Sequence, residues 1–142
     1  MTTLGAQASI DLATRINDLE TAVFGGPNPL GGGGSGQGAV NNLSGSTDAI
    51  PVKSGSNFVT TAGVDAMTLA QPVAGGPGVG QDGITISVFD TGGHAHTVTT
   101  AANGINGASH IATFNGTKGS LVSFRAFNGV WYVVDLVGVT LS

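Results

Sequence analysis

The chain contains no cysteine. That excludes a disulfide framework, a thiolate nucleophile and any Cys-ligated zinc site, and leaves the redox compartment unread. Charge is nearly as scarce. Lys, Arg, Asp and Glu together make up 8% of the 142 residues, against roughly 25% in an ordinary globular domain. The basic residues Arg15, Lys53, Lys118 and Arg125 are scattered, and the formal net charge is −4. No cluster is present to neutralise successive phosphates, so no nucleic-acid partner is expected. Nor does any run approach the roughly 20 apolar residues that cross a bilayer, and no basic-then-apolar leader opens the chain. The expectation is a soluble protein with no membrane partner.

What is present is glycine, 25 residues of it, and a hydrophobic fraction of 40%. That apolar content, with so little net charge, argues against a disordered chain. A surface this poor in charge is tolerated when neighbouring subunits cover it, or when it is a Thr/Ser/Asn-rich β surface. Both alternatives lead toward a multi-subunit assembly.

Three segments follow one another. Residues 1–24 hold the one helical pattern, over 9–24, with Ser9 at the N-cap position and Asp11 in the first turn. Gly25-Gly26-Pro27 ends it. Leu12, Ile16, Leu19 and Val23 are spaced as a seam of just under two heptads. A helix of that length is marginal alone and must dock, either on its own β-domain or in a small bundle around a symmetry axis. Residues 25–48, including the tract from Gly31 to Gly38, have the composition of a flexible arm with an r.m.s. reach of about 27 Å. From residue 49 to 142 the pattern is β: short apolar runs separated by Gly, Asn, Asp and Pro, as in a small antiparallel sandwich or barrel-like domain.

The strongest local signal is Asn128-Gly129, the preferred two-residue type I′ turn. It predicts that Phe127 pairs with Val130, Ala126 with Trp131, Arg125 with Tyr132 and Phe124 with Val133. The period of two then sets Val122, Phe124, Ala126, Trp131 and Val133 on one face. Leu121, Phe127, Val130, Tyr132, Val134 and Leu136 fall on the other, along with Ser123 and Arg125. One face lines the core; the second is too apolar for water and calls for cover by another element or subunit. Ile84, Ile86 and Val88 alternate with Thr85, Ser87 and Phe89, which predicts a half-buried strand.

Few residues could carry chemistry. Gly31-x-Gly33-x-x-Gly36 lacks the preceding strand and following helix of a dinucleotide site, and no Gly-Lys-Ser/Thr follows. His94-Ala95-His96 on a strand would put both imidazoles on one face, a pair of metal ligands needing a symmetry axis to complete a set. The plainer expectation is two polar residues at a loop-to-strand boundary making ordinary hydrogen bonds, with no metal and no cofactor. His110 stands alone, in a loop. Asp82-Gly83 and Asp90-Thr-Gly-Gly have turn chemistry, Asp65 lies in a turn context and Asp135 in the last strand. No serine lies in a nucleophile elbow, so no enzyme is expected. Trp131 and Tyr132 are adjacent on a strand and point opposite ways, so at most one could face a sugar; Trp131 fits the core.

Four stretches resemble a β-module found in tailed-bacteriophage structural proteins, including capsid decoration (cement) proteins, head fibres and tail-fibre modules. They are Met67-Thr68-Leu69-Ala70-Gln71-Pro72, Asp82-Gly83-Ile84-Thr85-Ile86, His94-Ala95-His96-Thr97-Val98-Thr99 and Asn128-Gly129-Val130-Trp131-Tyr132-Val133-Val134. The likeness covers about residues 58–136. It implies a homotrimeric, non-catalytic virion protein, made in the host cytoplasm and placed on the capsid surface, with itself and the phage major capsid protein as partners. Leu12, Ile16, Leu19, Val23, Phe127 and Tyr132 are then the candidate oligomer or capsid contacts. A receptor-binding fibre tip or adhesin, and a minor tail or neck subunit, are the alternatives.

Overall fold

The computed structural model describes residues 39–142. The helix predicted over 9–24, its seam Leu12, Ile16, Leu19 and Val23, and the glycine tract up to Gly38 lie outside the described residues.

The domain is mainly β, as the run spacing predicts. Ten strands make two five-stranded sheets. In chain order they are β1 (Ala39–Leu43), β2 (Ala49–Ile50), β3 (Gly55–Val59), β4 (Ala66–Leu69) and β5 (Thr85–Asp90), followed by β6 (Thr97–Thr99), β7 (Ile111–Phe114), β8 (Leu121–Phe127), β9 (Val130–Val137) and β10 (Val139–Leu141). The first sheet has the order β1-β3-β5-β8-β9 and the second β10-β7-β6-β4-β2.

Up to β6 the chain winds as a coil, giving one strand to each sheet in turn. β1, β3 and β5 therefore run parallel in one sheet, and β2, β4 and β6 run parallel in the other. Antiparallel pairing was the expectation from short runs and turns, and each sheet is instead mixed. The reason is connectivity: parallel neighbours need a long crossover, and here each crossover is a strand of the opposite sheet. Only from β7 onward is the pairing antiparallel, through β6–β7, β5–β8, β8–β9 and β7–β10.

β1 lies inside the stretch whose composition reads as an arm, so the β-domain begins before residue 49. Its sequence, Ala-Val-Asn-Asn-Leu, is a fair strand on its own, and a buried side-chain ladder holds it in place. Asn41 Nδ2 donates to Asn57 Oδ1 at 3.1 Å, and Asn57 Nδ2 donates to the Ser87 carbonyl at 3.2 Å. Asn57 is buried, and pairing along the ladder offsets the cost of taking its amide out of water.

The core lies between the sheets and is built by alternation. In β5, Ile86 and Val88 are buried while Thr85, Ser87 and Phe89 are partly covered, the half-buried strand that the pattern predicts. Met67 and Leu69 of β4, Val98 of β6 and Phe114 of β7 meet them from the second sheet. Each such side chain contributes about 1.5–3 kcal/mol through burial.

Candidate functional site

The β8–β9 hairpin forms in the predicted register: Phe127 opposite Val130, Ala126 opposite Trp131, Arg125 opposite Tyr132 and Phe124 opposite Val133. Asn128 and Gly129 take φ of 48° and 76°, the left-handed pair that a type I′ turn requires. The loop before β5 braces this turn, since Asp82 Oδ1 accepts the Asn128 N–H at 2.7 Å. Val122, Phe124, Ala126 and Trp131 are all buried. Trp131 is thus a core residue.

Beyond Phe124 the predicted alternation breaks. Ser123 pairs with Asp135 and Val122 with Leu136, so Val134 is the extra residue of a β-bulge. A bulge shifts the phase of everything that follows it. Leu136 consequently falls on the side of Val122, not on the side of Tyr132, and Val137 takes the outward place opposite Leu121.

No described element covers the outer face of this hairpin. Phe127 is 61% exposed, Tyr132 44% and Val134 56%. The rings of Phe127 and Tyr132 lie 6.4 Å apart, tilted toward each other. Together with Gly83, Arg125 and Val134 they line an open groove of about 550 Å³. A second apolar row crosses the same sheet, where Phe58, Phe89, Leu121 and Val137 stand side by side. Phe58 and Phe89 stack at 5.1 Å. A polar row runs beside it, Ser56, Ser87 and Ser123 in register, with the Ser87 and Ser123 hydroxyls 2.7 Å apart. An exposed sheet face carrying this many large apolar side chains is the mark of an interaction surface.

The histidines are arranged otherwise than a strand would place them. His94 and His96 precede β6, with ring centroids 5.9 Å apart and edge to face. His96 is buried. Its Nδ1 accepts the Asp65 backbone N–H at 3.0 Å, and its Nε2 stands 3.3 Å from Asp90 Oδ1. Both ring nitrogens thus face the protein's own groups. Among the described residues no three His, Asp or Glu side chains are placed to hold a metal ion. Asp90 is itself a turn carboxylate, accepting the N–H groups of Gly92 and Gly93 through Oδ1 at 2.8 and 2.7 Å. Burial pushes the Asp65 carboxyl above its ordinary range, against the pull of the Asp48 N–H donated to Oδ1. His110 is an exposed residue just before β7.

Sequence reasoning placed the hairpin's apolar face but missed the buried Asp65–His96–Asp90 group. A signal was there: Val98 is an inward-facing core position of β6, and a period of two puts His96 inward as well. Comparison with protein-family models and with curated protein sequences finds no match to this chain.

Proposed function

We propose that the chain is a virion structural protein, a capsid decoration or cement protein that binds the outside of an icosahedral phage head as a homotrimer. The observation that carries this reading is the uncovered outer face of β8 and β9, with Phe127, Tyr132 and Val134 exposed in a chain only 8% charged. A charge-poor β-domain with an apolar face gains by covering that face with protein. The resemblance to phage β-modules over residues 58–136 supplies the kind of assembly. No nucleophile, metal set or cofactor cradle enters the mechanism, which is thermodynamic and non-enzymatic. A protein that binds only the assembled shell stabilises it by mass action. Apolar area contributes about 25 cal/mol per Å² before ordering costs. The seam predicted from sequence, Leu12, Ile16, Leu19 and Val23, would add contacts to the major capsid protein or to neighbouring trimers.

A receptor-binding fibre tip is the second reading, favoured by the open groove in which Phe127, Tyr132 and Arg125 lie together. Electron cryomicroscopy of purified particles, with light scattering on the purified protein, separates the two. The cement reading expects density at the three-fold or quasi-three-fold positions and a trimer in solution. Density confined to a tail tip overturns it.

A further inference from the structure

We propose that His96 is a proton-operated latch: uncharged, it ties the start of β4 to the approach of β6, and taking up a proton releases that tie. The argument begins with the ring's partners. Nδ1 accepts a hydrogen bond from the Asp65 backbone N–H, so the ring's single proton belongs on Nε2, facing Asp90 Oδ1. An imidazolium carries a proton on both nitrogens. Protonation would set Nδ1–H against the Asp65 N–H, two donors with no acceptor between them, at a site closed to water.

Position turns this local conflict into a change in the fold. Asp65 and His96 are the residues through which successive coils touch at this corner. The Thr97 N–H donates to the Asp65 carbonyl at 3.0 Å, and the Phe114 N–H donates to the His96 carbonyl at 2.9 Å. On the other side, the Asp48 N–H donates to Asp65 Oδ1 and the Thr68 N–H to the Asp48 carbonyl. The His96 ring thus sits where the hydrogen bonds of β2, β4, β6 and β7 converge.

The charged and titratable groups around the ring are few. Asp65 stands at the start of β4, with Asp48 behind it before β2. Asp90 closes β5. His94 meets the ring edge to face on the same loop, and Phe114 of β7 does so from below. The Lys118 side chain lies against Gly93. Asp90 is the group that would favour an imidazolium. Its Oδ1 already accepts two backbone N–H groups at 2.7–2.8 Å, closer than its 3.3 Å approach to His96, so His96 shares that oxygen with two nearer donors. Nε2 of His96 and Oδ2 of both Asp65 and Asp90 have no hydrogen-bond partner among the described residues.

The test uses the full chain, 15N-labelled, with imidazole nitrogen shifts and urea unfolding followed from about pH 7.5 down to about pH 5.5, across the ordinary histidine range. The expected result at neutral pH is a His96 proton on Nε2 and a bare Nδ1. As pH falls, the unfolding equilibrium constant should rise, approaching about tenfold per pH unit for one proton taken up on unfolding. His96→Asn offers an amide oxygen near the place of Nδ1 and cannot titrate, so it should abolish that slope. His94→Asn and His110→Asn should keep it. Running the series in Asp65→Asn removes the nearby carboxyl titration and should leave the slope in place. An imidazolium at neutral pH, a proton on Nδ1, or a slope that survives in His96→Asn would overturn the latch. The nitrogen shifts of the unaltered protein decide the matter even if His96→Asn does not fold.

Discussion

The indole N–H of Trp131 donates to the carbonyl of Ala70 at 2.9 Å. That bond joins the hairpin of one sheet to the end of β4 in the other. Trp131 is fully buried and meets Phe124 edge to face, with ring centroids 6.4 Å apart. It therefore supplies both area and a satisfied polar atom at the centre of the core.

Trp131→Phe keeps much of the area and loses the hydrogen bond to Ala70, at a cost of about 0.5–1.5 kcal/mol for the bond. Trp131→Ala adds a cavity and should cost about 3–5 kcal/mol. Urea unfolding followed by far-ultraviolet circular dichroism checks both. The midpoint should fall in that order with the slope unchanged. Equal midpoints for the two variants would mean that the hydrogen bond, not the packing, dominates.

Tyr132 and Phe127 make the opposite prediction. Both are exposed on the outer face, so Tyr132→Asp and Phe127→Asp should each cost the monomer only about 1 kcal/mol, through the lost ring pair and the poor strand propensity of Asp. If that face joins copies of the chain, the same variants should lower the mass seen by light scattering while circular dichroism stays the same. An unchanged mass in both variants would move the oligomer contact away from this face.

Asp65 gives a prediction with a definite sign. Its folded-state pKa is raised, first by burial, so the folded domain holds that proton more tightly than the unfolded chain. The contribution is fully present below the unfolded pKa and is lost as pH rises through the folded one. Asp65→Asn retains an acceptor for the Asp48 N–H and never ionises. Its stability advantage over the unaltered chain should therefore be smallest in acid and grow as pH rises out of the carboxylate range, then level off. Urea midpoints for the two proteins between about pH 3 and about pH 7 provide the check. A difference that shrinks with rising pH would mean that the Asp65 carboxylate is stabilised by its neighbours.

How much of this was legible in the residues depends on how local each signal is. Asn128-Gly129 specifies its turn within two residues, and the register that follows is found pair for pair as far as Phe124. The bulge at Val134 leaves no mark in the apolar pattern, because Val133, Val134, Leu136 and Val137 suit either face. The parallel coil is less legible still. Pairing Ala39 with Gly55 and Gly55 with Ile86 depends on which distant run each strand meets, and short alternating runs serve parallel or antiparallel neighbours equally. Glycine-rich surroundings hid β1, although Asn41 and Asn57 both occupy ladder positions. His96 reads correctly as a hydrogen-bonding residue at a loop-to-strand boundary, but its partners Asp65 and Asp90 lie far from it or on another strand and leave no local mark.

Gly55 tests whether β1 belongs to the domain in the way the ladder implies. A Cβ at Gly55 would run into the Ala39 carbonyl, the backbone of its partner in the parallel pair. The other neighbour of Gly55, Ile86 on β5, is locked in the middle of its sheet, so β1 at the sheet edge is the element that must yield. Gly55→Ala should therefore cost about 1–3 kcal/mol, as overpacking does, and the effect should be local. Hydrogen exchange should quicken for the amides of Asn41, Asn42 and Leu43 while those of Val88 and Val122 keep their protection. Uniform loss of protection would mean that the first coil is part of the cooperative core, not an edge strand added to it.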